Sequence, residues 1–508
     1  MFLTNQSSFF VGFSSAPNSN TSPETRTFSV DIPTSRPPIA ENFLLYSIHS
    51  SQWHLIKHVA PKLNSSDISN ALGNLYQKPQ LVLEFLKHID LHCLDIQTRC
   101  LAIAILSRLP SPKPALQLLK QVVDSGIATN GVIFDELVVL RDRLEIKSSI
   151  LLDFLVRVCC ELKRADEACE CLNMMKEEGF IPKIETCNEM LSLFLKLNRT
   201  EMAWVLYAEM FRLKIKSSVY TFNIMIHVLC KEGKLKKTNE FIEFMETLGM
   251  EPNVVTYNTI IHGYCSRGKL DGARQVLKAM QAKGIDPDSY TYGSLISGMC
   301  KERRLEEASR VLSDMLEIGL VPTAVTYNAL IDGYCNKGDL DMAFEYRDEM
   351  ISKGIMPSAA TYNLLIHALF MEGKMVEADN IIKEMGQKRI HPDSFTYNIL
   401  INEYCRCGDV KKAFSLHDEM LSKGIQPTRV TYTSLIYALG KRYRMKEADD
   451  LVEKSQQKGL VPDLIMFNAL IDGHCANGNM ERAFSVLKDM DRMNIPPDGV
   501  TYNTLMQG

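Results

Sequence analysis

Val254 to Asp288 reads VVTYNTIIHGYCSRGKLDGARQVLKAMQAKGIDPD, and the rest of the chain is organised around it. The blocks opening at Ser289, Ala324, Ala359, Ser394, Arg429 and Leu464 repeat its grammar. The aromatic of its Thr-Tyr-Asn segment recurs at Tyr257, Tyr292, Tyr327, Tyr362, Tyr397, Tyr432, Phe467 and Tyr502, always 35 residues apart. A fixed period of this size means a solenoid of stacked repeats, because one repeat alone cannot bury its apolar face.

Each repeat reads as two antiparallel helices. Tyr257, Ile260, Ile261, Tyr264 and Cys265 fall at i, i+3, i+4, i+7 and i+8, one face of a first helix. The pattern predicts Thr256 as its N-cap and Gly268 as a left-handed C-cap. A second helix turns Leu270, Ala273, Val276, Leu277 and Met280 inward, with Ala273 small enough for close approach of the two helices. Gly284 ends it, and Pro287 blocks an early restart.

Outward from this stretch, regular repeats run from Ser149 to Asp498, ten in all. Ser149–Lys183 keeps Met175, Gly179 and Pro182 but lacks the Thr-Tyr-Asn segment. Residues 499–508 begin the first helix of another repeat and leave its apolar face uncovered, so the expectation is a fragment or a truncated chain. Residues 40–148 look helical but off-pattern, with periodic segments near Asp67–Leu75, Pro79–Ile89, Ile96–Leu106 and Ala115–Val123; they fit either degenerate repeats or an N-terminal cap. Residues 1–39 are rich in Ser, Thr, Asn and Pro and read as a disordered targeting peptide. Arg26-Thr27-Phe28-Ser29 is similar to a mitochondrial presequence cleavage site, whereas the lack of early arginines is more like a plastid transit peptide.

The formal net charge of −4 counts against indiscriminate nucleic-acid binding, which needs a strongly basic surface, but permits a basic stripe on one face. No apolar run reaches the roughly 20 residues needed to span a bilayer. Of 14 cysteines, Cys160, Cys230, Cys265, Cys300, Cys335, Cys405 and Cys475 share one position near the end of the first helix, which marks them as small buried side chains. No Cys-x-x-Cys occurs, so neither a zinc site nor a disulfide framework is expected, and no cofactor is implied.

Thr-Tyr-Asn, Gly-Tyr-Cys, the central Ala and the Gly-Ile-x-Pro-Asp ending, in phase over Ser149 to Gly508, resemble the pentatricopeptide repeat family, and the uniform spacing resembles its pure subclass. The tetratricopeptide repeat has a period of 34 and a Trp-x-x-Leu-Gly signature that is absent here. The resemblance implies an all-α, right-handed superhelical solenoid that binds single-stranded organellar RNA, one base per repeat, in stabilisation, processing or translation of transcripts. It assigns base reading to the residue after the aromatic together with the last residue of the repeat. Asn258 with Asp288, Asn363 with Asp393 and Asn468 with Asp498 would favour uracil. Asn188 with Ser218 and Asn328 with Ser358 would favour cytosine, and Asn223 with Asn253 and Asn398 with Thr428 a pyrimidine. Thr433 with Asp463 would favour guanine, whereas Gly293 with Thr323 has no side chain to read with at its first position. The implied site is C-Y-U-N-C-U-Y-G-U, Y being a pyrimidine. Val255, Tyr290, Val325, Ala360, Phe395, Val430 and Ile465 would sandwich the bases. Lys196, Lys231, Lys301, Arg406 and Lys441 share one position after the first helix, where a cation could meet a phosphate.

Some relatives carry a deaminase with a His-x-Glu and Cys-x-x-Cys zinc site. His417-Asp418-Glu419 matches the first half by letter only and is expected on the surface, so no enzyme is expected. The competing class is a protein-binding helical scaffold, which would not need paired variation at two fixed columns.

Overall fold

The computed structural model describes residues 39–59, 63–91 and 94–508, and among them it contains 28 helices and no strand. The targeting peptide expected over Met1–Ile39 lies outside the described residues, except that Ile39 already opens the first helix, Ile39–His49. The chain divides into two compact parts at Leu151 and Leu152. No helix among the described residues is long and apolar enough to cross a membrane.

In the N-terminal part, helices Ser65–Asn74 and Pro79–Leu86 are followed by Ile96–Leu106, Lys113–Asp124 and Asn130–Arg143. Asn64 caps the first of these: its side chain accepts the Asp67 N–H while Asp67 reaches back to the Asn64 N–H. The hydroxyl of Thr98 donates to the Ser65 carbonyl at 3.3 Å, across 33 residues.

The second part is the all-α solenoid. Its first helices, such as Val254–Cys265, pack on their own second helices, such as Leu270–Ala282, and on the first helix of the next repeat. The faces foreseen from periodicity are the buried ones: Tyr257, Ile260, Ile261 and Cys265 are at most 3% exposed, and Leu277 is half-buried. Ala168, Ala203, Ala273, Ala308, Ala343, Ala378, Ala413, Ala448 and Ala483 are fully buried, and side chains this small suit the close packing of the two helices of a repeat. Gly268 takes φ +68° at the turn between them, the left-handed conformation foreseen for it.

A second small-residue column spaces successive repeats. A Cβ on Gly263 would lie 2.6 Å from Cys230 Cβ, and one on Gly298 would lie 2.7 Å from Cys265 Cβ. The recurrent Gly and Cys are therefore the two halves of one contact, in which first helices meet almost backbone to side chain. The cysteines serve as packing atoms there, and burial pushes the thiols of Cys230, Cys265 and Cys300 up to about 12.

Candidate functional site

The site is built at the boundary between repeats. The helix that contains Thr256 starts at Val254, so Thr256 is its third residue and not its cap. The cap is Asn253, the last residue of the preceding repeat, whose side chain accepts the Thr256 N–H at 3.1 Å. The Thr256 hydroxyl in turn accepts the Asn253 N–H at 3.2 Å, closing a capping box. Ser218, Asp288, Thr323, Asp393, Thr428 and Asp498 cap the following helices in the same reciprocal way, and at Ser358 the Thr361 hydroxyl accepts the Ser358 N–H at 3.1 Å. Asp463 also caps, through the Met466 N–H, but Met466 has no hydroxyl to return the bond. The last-residue column thus carries helix capping, whatever else it does.

The Asn column stands within reach of it. Asn258 Nδ2 donates to Asp288 Oδ1 at 3.0 Å, Asn398 Nδ2 to Thr428 Oγ1 at 3.0 Å, and Asn468 Nδ2 to Asp498 Oδ1 at 3.3 Å. Asn188, Asn223, Asn258 and Asn363 are at most 9% exposed, while Asn328, Asn398 and Asn468 are half-buried. Partial burial works to raise the Asp288 pKa. The N–H of Thr291, the Asn258 amide and the Thr291 hydroxyl outweigh it and hold the carboxyl below the usual range. Asp498 is lowered likewise, chiefly by the Thr501 N–H. Two positions depart. A Cβ on Gly293 would stand 3.0 Å from the Thr326 hydroxyl, and Thr433 turns its hydroxyl back to the Arg429 carbonyl at 2.9 Å.

Beside these columns runs an apolar stripe that the fold leaves bare. Val255, Tyr290, Val325, Phe395, Val430 and Ile465 are 57–73% exposed, and Ala360 is exposed in the same place. Tyr290 stands next to His262 of the preceding repeat, with ring centroids 6.4 Å apart. Asn258 lies three positions after Val255 in its own repeat, and Tyr290 holds the position of Val255 in the next.

The sequence reading missed residues that the same 35-residue arithmetic locates. Tyr220 and Val500 extend the stripe at 59% and 58% exposure. Asp153 occupies the Asn position of the first repeat, where Leu151-Leu152 replaces Thr-Tyr; it is buried, and its Oδ1 accepts from the Lys183 N–H at 2.9 Å and the Thr186 hydroxyl at 2.7 Å.

The basic column is more committed than expected. Lys231 Nζ donates to the Leu195 carbonyl at 2.7 Å, at the C-terminal end of the preceding first helix, where the helix dipole favours a cation. Arg406 pairs with the buried Glu403 at 3.2 Å, and Lys441 lies over the Tyr437 ring at 5.1 Å. Lys231, Arg267 and Lys269 line one cleft of about 600 Å³ together with His227 and His262, whose pKa values are lowered by burial; Arg267 too is committed, its Nε donating to the Cys230 carbonyl at 3.2 Å. His417 is not on the surface: it is 7% exposed and packs edge-on against Tyr432 at 5.9 Å, so burial lowers its pKa. No cluster of metal-ligating side chains occurs among the described residues.

These repeats match the PPR repeat family over residues 182–231, 218–260, 252–301, 291–336, 322–371, 357–406, 392–441 and 462–508, and the PPR repeat over 154–180 and 430–460, so the chain belongs to the pentatricopeptide repeat family. A mitochondrial pentatricopeptide repeat-containing protein of Arabidopsis thaliana is 58% identical over 189 residues, covering 37% of this chain and 30% of the relative. A second mitochondrial one from the same plant is 29% identical over 230 residues, 43% of this chain and 44% of the relative. The chain thus spans less than half the length of these curated relatives. Among solved structures, the maize pentatricopeptide repeat protein PPR10 in complex with an 18-nt psaJ RNA element is similar at 20% identity and TM-score 0.44, covering 92% of this chain and 86% of that one. Yeast Rmd9p in complex with a 16-nt target RNA is similar at 12% identity and TM-score 0.42, covering 82% and 88%.

Proposed function

We propose that the chain is a non-catalytic, sequence-selective binder of single-stranded RNA, that each repeat takes one base, and that the bound transcript is thereby stabilised, processed or made available for translation. The observation that carries this reading is the bare apolar stripe in phase with the paired Asn and cap columns. A stripe residue on either side gives a base two faces to stack on, which every base can use. The paired columns then supply the selectivity. A carboxylate such as Asp288 only accepts, so it suits uracil, whose N3 carries a hydrogen, and not cytosine, whose N3 is a bare acceptor. A hydroxyl such as Ser358 can donate, which suits cytosine. The cationic cleft around Lys231 and Arg267 fits the phosphate chain.

Residues 149–498 form the reading array in this proposal, and residues 40–148 are degenerate repeats, as the 33-residue span of the Thr98–Ser65 bond supports. The compartment is a mitochondrion, a reading supported by the names of the relatives and by Arg26-Thr27-Phe28-Ser29, with a plastid as the alternative. A reporter fused to residues 1–39 is expected in mitochondria; a cytosolic reporter would remove the targeting role.

Titration with a C-Y-U-N-C-U-Y-G-U RNA and a scrambled control tests the binding reading. Tyr290→Ala with Phe395→Ala is expected to weaken binding by about 1–3 kcal/mol per lost stack. Both rings are exposed, so thermal unfolding is expected to stay within about 0.5 kcal/mol per site. Unchanged RNA affinity in this variant would favour the protein-binding scaffold.

A further inference from the structure

The threonine that closes each capping box has a second contact, across the repeat boundary. The hydroxyls of Thr221, Thr256, Thr291, Thr361, Thr431 and Thr501 donate to the Oδ1 atoms of Asn188, Asn223, Asn258, Asn328, Asn398 and Asn468, each 33 residues earlier, at 2.5–2.8 Å. These threonines are buried.

The geometry around Asn258 leaves one arrangement of its amide. Asp288 Oδ1 is an acceptor, so the group 3.0 Å from it has to be the NH₂. The amide oxygen then faces Thr291. The Thr291 oxygen already accepts the Asp288 N–H at 3.1 Å, and its single hydrogen has two takers, Asn258 Oδ1 at 2.5 Å and Asp288 Oδ1 at 2.9 Å. The shorter bond goes to the Asn, because the Asp oxygen is also served by the Thr291 N–H at 2.8 Å.

We propose that this threonine is a positioning residue for base selection: its hydroxyl ties up the Asn oxygen of the preceding repeat and obliges that Asn to meet the base as a donor. The inference rests on the base-reading proposal above. An untethered amide can flip and offer its oxygen instead, which blurs the choice between bases whose edges differ in donors and acceptors.

The chain contains its own controls. Asn363 and Asp393 are the same pair as Asn258 and Asp288, yet the Thr396 hydroxyl goes to Asp393 at 2.9 Å, and Asn363 Oδ1 is buried with no hydrogen bond. Thr326 closes an equivalent capping box, but the residue 33 positions earlier is Gly293, so it has no amide to hold.

The experiment measures affinity for RNAs that differ only by uracil or cytosine at one base. In the unmodified chain the uracil preference at the base facing Asn258 is expected to exceed that at the base facing Asn363; equal preferences overturn the proposal. Thr291→Val is expected to reduce the preference facing Asn258 about tenfold, the size of one ordinary mismatch. Thr291→Ser, which keeps the hydroxyl, is expected to retain it. Thr326→Val, which loses the capping-box hydroxyl but strands no amide oxygen, is expected to lose less thermal stability than Thr291→Val and to leave the preference facing Asn258 unchanged. A Thr291→Val protein with the wild-type preference overturns the positioning role. If instead the wild type shows no preference at either base and Asn258→Ala changes nothing, base reading itself has failed.

Discussion

Gly298→Val is expected to destabilise the solenoid by about 1–3 kcal/mol, the usual cost of forcing extra atoms into a packed contact. The sign is informative because helix propensity points the other way: glycine in a helix interior is worse than alanine by about 1 kcal/mol, and valine is better than glycine. Any loss is therefore steric. A Cβ at residue 298 would stand 2.7 Å from Cys265 Cβ and 3.2 Å from Cys265 Cα, and backbone cannot swing aside as a side-chain tip can. Gly386→Val is the control, since a Cβ there meets nothing within 4 Å. Urea unfolding followed by circular dichroism compares the two variants. In a quasi-one-dimensional array each repeat is stabilised mainly by its neighbours, so a wedge at one boundary is expected to separate the transition into two steps. A Gly298→Val midpoint equal to that of Gly386→Val would falsify the close-contact account. RNA binding is expected to weaken with it, because the bases on either side of residue 298 lose their common spacing.

The solenoid was legible in the sequence because every repeat solves the same packing problem with the same residues at the same distance. Tyr257, Ala273 and Met280 announce burial in one repeat, and their counterparts announce it again in the next. The capping register was harder to read. Thr is itself a good N-cap residue, and the true cap varies among Ser, Asn, Asp and Thr and lies across the repeat boundary, so the eye settles on Thr256 rather than Asn253. Asp153 escaped because Leu151 and Leu152 erase the local signature that marks its position. The bond from Thr291 to Asn258 joins residues whose proximity follows only from stacking, and no local pattern encodes it. His417 shows the reverse error: a charged neighbour, Asp418, suggests a wet face, while the histidine itself turns inward against Tyr432.

These two lessons meet at the pair Thr433 and Asp463, the one position where the resemblance implies a purine. Thr433→Asn makes the pair match Asn258 with Asp288, and the selected base is expected to move from guanine toward uracil. Yet the next repeat has Met466 where a threonine would stand, fully buried and with only its N–H bonded to Asp463, at 3.0 Å. The amide introduced by Thr433→Asn would therefore lack the hydroxyl that fixes it, and the single variant is expected to prefer uracil over cytosine less than the Asn258 position does. Thr433→Asn with Met466→Thr supplies the hydroxyl and is expected to raise that preference about tenfold. Truncating a buried methionine typically costs about 2–5 kcal/mol, which the completed capping box offsets by about 1 kcal/mol. Met466→Thr alone is the stability control for that loss. The measurement is a titration of the four proteins with RNAs carrying guanine, uracil or cytosine at the eighth base, at one salt concentration, since phosphate contacts make affinity salt-dependent. The other eight bases are expected to be read as before, because each pair closes on its own repeat boundary. A double variant no more selective than Thr433→Asn would separate the two ideas, leaving the pair as the reader and removing the threonine from its support.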